Sequence, residues 1–318
     1  MRRYGIIGTG AIGGYYGGRL QKAGHDVHFL ARSDYGVIQT QGLRIDSVFG
    51  DFVLPQVQVY QEPRQMPPCD VVVVALKATQ NDQLTHILPP LLGEKTILVL
   101  LQNGLGVEPQ LTAQFPQTTI LGGLCFVCAN KVGPGHIRHL DYEAIALAQY
   151  GPDYAPQGIT PMVEAIAADF TAAGIEIHPK PHLMQSRWEK LVWNIPYNGL
   201  SVVLNAQTDQ LMANPATRAL VEDLMGEVAQ GAAACGCEIT PAVIAHMIAH
   251  TEAMTPYLTS MKLDYDRGQP LELEAIVGNP LRFAHNGGAT LPKITMLHQQ
   301  LQFLNTAHLH NSTPPLYG

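Results

Sequence analysis

Lys190, Asn194 and Asn198 stand four residues apart in the run Arg187-Trp188-Glu189-Lys190-Leu191-Val192-Trp193-Asn194-Ile195-Pro196-Tyr197-Asn198. On a helix, that spacing stacks side chains along one face. Leu191, Val192, Trp193 and Ile195 lie between them and favour burial. A lysine and two amides at the border of a core need hydrogen-bond partners, and a ligand can be one. A lysine placed this way can donate a proton or stabilise negative charge building on an oxygen. Pro196 interrupts the row. A proline inside a helix costs about 3 kcal/mol and kinks it, which would carry Asn198 off the ideal face.

The ligand is suggested at the other end of the chain by Gly8-Thr9-Gly10-Ala11-Ile12-Gly13. The motif follows the apolar run Tyr4 to Ile7, opens a helical pattern from Ala11 to Ala23, and precedes a second strand, Asp26 to Ala31. Strand, glycine turn, helix and strand in that order form the frame of a dinucleotide site. The glycines permit a tight turn and close approach to a pyrophosphate, and the helix start offers unpaired N–H groups. A glycine-rich turn with no ligand is the alternative. The second strand ends Phe29-Leu30-Ala31-Arg32-Ser33. An NAD site usually places an acid here for the ribose hydroxyls. Arg32 is instead a cation able to hold a 2′-phosphate, with Ser33 adding a hydrogen bond. That favours NADPH over NADH, although Asp34 stands close by.

Two further polar groups fall at strand ends. Lys77 follows the continuous strand Val71 to Leu76, and Asn103 follows the buried strand Thr96 to Leu101. Ligands of open α/β sheets bind at such carboxyl ends, so both residues are placed to meet cofactor or substrate. Taken singly, Lys77 could be an exposed loop lysine and Asn103 a turn former beside Gly104.

A chain of 318 residues accommodates two domains. With 46% hydrophobic and 14% charged residues it has the composition of a well-buried soluble protein. A net charge of −7 gives no general attraction for nucleic acid or anionic membrane, so an anionic ligand must be held locally. No apolar run is long enough to span a bilayer, and the N-terminus enters a strand directly rather than a signal peptide. Five cysteines without a disulfide framework indicate the reducing cytoplasm. Cys125 and Cys128 form a lone C-x-x-C on a strand, where a spacing of three points to opposite faces, so structural thiols are expected rather than zinc. His246 and His250 lack the intervening Glu of a zincin. No metal site is expected, and no Walker loop or Gly-x-Ser-x-Gly elbow is present.

The positioning elements follow. The first half alternates strands and helices, with a helical stretch from Gln80 to Leu92, hairpin-like excursions from Leu43 to Tyr60, and antiparallel strands from Phe126 to Ala148 turning at Gly133-Pro134-Gly135. Thr160 to Ala173 reads as a helix and Ile175 to His178 as a last strand. Beyond Pro179-Lys180-Pro181 the patterns are helical: Leu183 to Ile195, Ala216 to Cys235, Pro241 to Ala249, and a last helix from Pro292. The reading is an α/β Rossmann-type doubly wound sheet over residues 1–180, then an all-α domain over 181–318, ending in a loose tail from Asn311.

These motifs together resemble the ketopantoate reductase (2-dehydropantoate 2-reductase) family across nearly the whole chain. The marks are Gly8-x-Gly10-x-x-Gly13, Arg32, Leu76-Lys77-Ala78, Asn103-Gly104, the Lys190/Asn194/Asn198 row, and Arg267-Gly268-Gln269-Pro270-Leu271-Glu272. The resemblance implies a cleft between a Rossmann domain and a helical domain, and NADPH-dependent reduction of the 2-keto group of ketopantoate to pantoate. It implies Lys190 as general acid, Glu272 as a residue positioning the substrate, and Asn103, Asn194, Asn198 and Ser260 lining the pocket. Leu271 departs from the small polar residue, such as Thr, of many relatives and could reshape that pocket. The expected partner is a small 2-keto acid, with a homodimer as candidate assembly. Two alternatives remain: a paralogue reducing another branched 2-keto acid, and a non-catalytic NADP-binding regulator. The retained Lys190 and Glu272 argue against the regulator.

Overall fold

The structure, a computed structural model, describes residues 1–254, 256 and 258–311. The expected loose tail therefore lies, beyond Asn311, outside the described residues. The chain divides into two compact units, Met1–Asn103 with Val107–Leu183, and Gly104–Gly106 with Met184–Gly318.

In the first unit ten strands form one sheet: β1 (Arg3–Ile7), β2 (Asp26–Leu30), β3 (Leu43–Ser47), β4 (Phe52–Leu54), β5 (Gln58–Tyr60), β6 (Cys69–Val74), β7 (Leu92–Leu100), β8 (Thr119–Gly133), β9 (His136–Gln149) and β10 (Ile177–Pro179). The order is β4-β3-β9-β8-β7-β6-β1-β2-β5, with β10 beside β9. Six parallel strands, β5-β2-β1-β6-β7-β8, make the doubly wound core, and its reversal point lies at β1, between β2 and β6. Val71 to Val74 of β6 are buried, as expected of a parallel strand covered on both faces. Helices α1 (Ala11–Lys22), α2 (Tyr35–Gln41), α3 (Leu84–Ile87), α4 (Val107–Gln114) and α5 (Pro161–Ala172) accompany the sheet.

Two expectations in this unit are corrected. Gln80 to Leu92 is not one helix but a 3-10 turn (Ala78–Gln83), the four-residue α3 and a second 3-10 turn (Pro89–Leu91). Pro89 and Pro90 cannot continue a helical ladder. Only part of Leu43 to Tyr60 is a hairpin: β3 and β4 pair antiparallel, whereas β5 joins β2 in the parallel core. The seven-residue α2, which the sequence reading did not name, carries Gly36 and three β-branched residues.

The second unit is helical: α6 (Leu183–Val203), α7 (Thr208–Ala213), α8 (Pro215–Ala234), α9 (Pro241–Ala253), α10 (Ser260–Asp266), α11 (Asn279–Asn286) and α12 (Pro292–Asn311), with a π-turn at Glu274–Gly278. Helix α6 runs eight residues past its expected end, continuing through Pro196. The buried side chains of Trp188, Leu191, Val192, Ile195 and Tyr197 outweigh the local cost of the proline. Glu227 of α8 caps α12, its two carboxylate oxygens accepting the N–H groups of Lys293 and Ile294 at 2.9 Å each.

All five cysteines carry thiols. Burial pushes Cys69 up to about 12 and Cys237 up to about 11, which keeps both protonated. Among the described residues, no group of three or more His, Cys, Asp or Glu could hold a metal, and no helix is long and apolar enough to cross a membrane.

Candidate active site

In the first unit the expected residues gather at the carboxyl ends of four adjacent strands. Gly8 to Gly13 turn from β1 into α1, Arg32 and Ser33 follow β2, Lys77 follows β6, and Asn103 follows β7. The glycines serve three different ends. Gly8 has φ +98°, and a Cβ there would meet Leu76 Cδ2 at 2.8 Å. At Gly13 a Cβ would lie 2.0 Å from the Gly8 carbonyl oxygen, so the helix start packs directly on the turn. At Gly10 a Cβ would meet nothing within 4 Å. That space lies at the start of α1, where no side chain caps the helix and no acidic residue occupies its first turn. Open space beside uncapped N–H groups is what a pyrophosphate requires. Thr9 is buried in the same turn, while Ala11 and Ile12 are half-buried.

Arg32 and Ser33 are exposed. The Arg32 guanidinium donates to Gln83 Oε1 at 2.9 Å and to Gln80 Oε1 at 3.3 Å. The nearby Asp34 is buried, at 2% exposure, and its carboxylate is taken up elsewhere. Lys131 Nζ reaches Asp34 Oδ1 at 2.5 Å, the Gly135 N–H donates to Oδ2 at 3.2 Å, and Ser33 Oγ donates to Oδ1 at 3.0 Å. The acid that left the cofactor choice open is thus committed to the β8–β9 turn. Lys77 is half-buried and caps the 3-10 turn Ala78–Gln83 through its backbone position. Gln102, beside Asn103, donates from Nε2 to the Leu76 carbonyl at 2.9 Å and to Asn81 Oδ1 at 2.7 Å, which ties the loops after β6 and β7 together.

In the second unit, Lys190, Asn194 and Asn198 occupy the one helix α6. Lys190 is half-buried, while Asn194 and Asn198 are buried. Asn198 meets Ser260: its Oδ1 accepts the Met261 N–H at 3.2 Å and faces Ser260 Oγ at 3.5 Å. Next to Asn198, Ser201 Oγ shares a 2.6 Å bond with Thr259 Oγ1, and Thr259 caps α10. Two ties between α6 and α10 therefore set the place of Ser260. Glu272 is buried and lies two residues before the π-turn, a local helix irregularity frequent at functional sites. Leu271, the departure from the family pattern, is buried at 3% exposure, and its N–H donates to Asn305 Oδ1 at 3.1 Å.

The segment Gly104–Gly106, immediately after Asn103, belongs to this second unit. The Leu105 N–H donates to the Ala275 carbonyl at 2.8 Å, and Asn279 Nδ2 donates to the Leu105 carbonyl at 2.7 Å. Gly104, at φ +92°, leaves no room for a side chain, since a Cβ would lie 2.2 Å from the Ala275 oxygen. Sequence reasoning missed Gln80, Gln83, Lys131, Ala275 and Asn279. Each meets its partner across 48 to 174 residues of chain, so no local spacing announces it.

A doubly wound sheet with its glycine turn at the reversal point, joined to a helical unit carrying a buried polar row, defines a two-unit dinucleotide-dependent protein. Known proteins narrow the class. A family profile described as "Ketopantoate reductase PanE/ApbA" matches residues 4–152, and its C-terminal counterpart matches residues 182–305. A 2-dehydropantoate 2-reductase of Nostoc sp. is 55% identical over 304 residues, which cover 96% of this chain and 95% of that protein. The crystal structure of a 2-dehydropantoate 2-reductase from Geobacter metallireducens matches with a TM-score of 0.89 and 38% identity, covering 95% of this chain and 99% of that one. D-mandelate dehydrogenase, in a ternary structure with NADH and anilino(oxo)acetate, shares the fold at a TM-score of 0.88 and 21% identity, over 96% of this chain and 99% of that one. The chain belongs to the ketopantoate reductase family, oxidoreductases that use a nicotinamide cofactor on a small-molecule substrate.

Proposed function

We propose that this chain reduces 2-dehydropantoate to pantoate with NADPH, a step of pantothenate and coenzyme A biosynthesis. The observation that carries the reading is the near-full-length likeness to a 2-dehydropantoate 2-reductase, at 55% identity. The unbroken α6, which keeps Lys190, Asn194 and Asn198 on one helix, is consistent with it.

The first unit holds the cofactor in this reading. The N–H groups of Gly10, Ala11 and Ile12 would hold its pyrophosphate, where the open side of Gly10 leaves room. Gly8, Thr9 and Gly13 shape that turn, and Lys77 and Asn103 flank it from the next two strand ends. Arg32 and Ser33 hold the 2′-phosphate. NADPH is favoured over NADH because Asp34 is engaged with Lys131 and Gly135. When bound, the cofactor supplies a hydride for the keto carbon.

The second unit supplies the proton and the hold on the acid. Reduction of a ketone leaves negative charge on its oxygen, and an ammonium donor within hydrogen-bond reach lowers that barrier. Lys190 is that donor. Glu272 accepts from a substrate hydroxyl and so fixes its orientation. Ser260, Asn194 and Asn198 bind the carboxylate through neutral donors, and the Asn198–Met261 bond keeps Ser260 in place.

A homodimer is proposed as the assembly. Met296 and Phe303 of α12, seven residues apart, are 49% and 72% exposed, and a second copy packed on that helix would cover them. A cytoplasmic location is proposed from the unbridged thiols.

The test is NADPH consumption by purified protein with ketopantoate, with NADH and other branched 2-keto acids run in parallel. Fast turnover selective for NADPH and ketopantoate supports the reading. Faster turnover of another 2-keto acid makes the chain a paralogue of different specificity, and NADPH binding with no turnover makes it a regulator.

A further inference from the structure

Arg32 is held in an unusual way for a cation meant to meet a phosphate. Its two hydrogen bonds go to side-chain amide oxygens, Gln83 Oε1 at 2.9 Å and Gln80 Oε1 at 3.3 Å. Among the described residues it has no carboxylate within ion-pair distance. The nearest acid along the chain, Asp34, is drawn off by Lys131. The two glutamines sit on one short element, the 3-10 turn Ala78–Gln83. That element is itself anchored from the far side, where Gln102 Nε2 donates to Asn81 Oδ1 at 2.7 Å and to the Leu76 carbonyl at 2.9 Å. Gln102 is 3% exposed, so the anchor is a buried one.

A guanidinium has five N–H donors in a planar fork. Two are spent on the glutamines, and three remain for an anion. Neutral amide oxygens fix the plane of the fork without cancelling its charge. A carboxylate in the same place would also fix it, but would neutralise it and repel an incoming phosphate.

We infer that Gln83, assisted by Gln80, is a positioning residue for cofactor selection: it preorganises Arg32 for the 2′-phosphate through uncharged acceptors. The inference rests on the reading of Arg32 as the 2′-phosphate holder. The glutamines act through Arg32, and the anchor at Asn81 and Gln102 sets where their oxygens stand. The general gain is that a long side chain already held in its bound geometry loses less freedom when the ligand arrives.

The experiment measures dissociation constants for NADPH and NADH by fluorescence titration. It adds displacement of NADPH by 2′,5′-ADP and by 5′-AMP, which differ only in the 2′-phosphate. The proteins are the parent, Arg32→Ala, Gln83→Glu and the double variant Gln80→Leu/Gln83→Leu. Both glutamines are half-exposed, and a thermal melt of each variant checks that it folds. Gln83→Glu is expected to weaken NADPH and 2′,5′-ADP about tenfold or more, with NADH and 5′-AMP changed less than about twofold. The double leucine variant is expected to weaken NADPH about two- to tenfold with the same sparing of NADH. A purely structural role would weaken all four ligands alike, and that result overturns the inference. If Arg32→Ala abolishes the preference for 2′-phosphate ligands while both glutamine variants keep it, the positioning role is refuted and the reading of Arg32 stands. If Arg32→Ala keeps the preference, both fail.

Discussion

Substituting alanine at Gly10 and at Gly13 should separate binding from folding within one six-residue turn. At Gly10 the backbone sits at φ −75° and ψ −166°, open to any residue, and a Cβ would meet nothing within 4 Å. Gly10→Ala should therefore fold normally, with a stability change between zero and about 1 kcal/mol in its favour, because alanine restricts the unfolded chain. The same methyl fills the space proposed for the pyrophosphate and holds it off the helix start. A 100-fold loss of NADPH affinity, about 2.7 kcal/mol, is the expected scale. At Gly13 the added Cβ would lie 2.0 Å from the Gly8 oxygen, 3.0 Å from Ala75 Cβ and 3.1 Å from Ile6 Cγ2. Helix α1 and the β1 turn would have to separate at this point, where the Gly8 carbonyl, Ala75 and Ile6 already close the space. Overpacking of that kind costs about 3 kcal/mol, a fall in melting temperature of several degrees. Thermal melts and NADPH titrations on both variants decide it. Normal NADPH affinity in Gly10→Ala would refute the placing of the pyrophosphate, and a parent-like melt in Gly13→Ala would refute the packing argument.

Lys190→Ala should lower kcat by orders of magnitude at little change in NADPH affinity, measured by steady-state kinetics and cofactor titration; near-normal turnover rules out the acid role. Glu227→Ala should cost about 1–3 kcal/mol, since it strips a buried cap from two N–H groups of α12, and a melt unchanged within a degree would show the cap to be idle. Burial holds the imidazoles of His28 and His298 below their ordinary 6.5. The folded protein resists a proton that the unfolded chain accepts, so this stability is present above about pH 6.5 and lost as pH falls through the folded values. Melting temperature followed from pH 7.5 to 5.5 should drop, and the double variant His28→Gln/His298→Gln should flatten that slope; an unchanged slope assigns it to other groups.

Legibility in the sequence followed the range of the interaction. The glycine turn, the Val71 to Val74 strand and the polar row of α6 are local patterns with a period of their own, and each stands where its pattern put it. The stretch from Gln80 to Leu92 misled because its apolar residues fall at helical intervals while Pro89-Pro90 forbids the ladder. Strand β5 was misread because three residues carry too little pattern to say which neighbour they will pair with, and the pairing partner, β2, is about thirty residues back.

The chain by itself determined the chemistry available: a glycine turn before a helix, a cation after the second strand, and a lysine with two amides at four-residue spacing. Propensity and periodicity act over a few residues, so those features are written in neighbouring letters. The tertiary structure alone decided which of two adjacent charges is free to act. Arg32 and Asp34 are two residues apart, and although the sequence favours Arg32 as the ribose-side group, Asp34 stands close enough to compete. Folding brings Lys131, 97 residues away, onto Asp34, and Gln83, 51 residues away, onto Arg32. A buried carboxylate must find its cation and its N–H donors, and only the β8–β9 turn supplies them here. Burial and long-range pairing, which no local spacing records, thus engaged the acid with a cation and left the guanidinium on neutral amide oxygens.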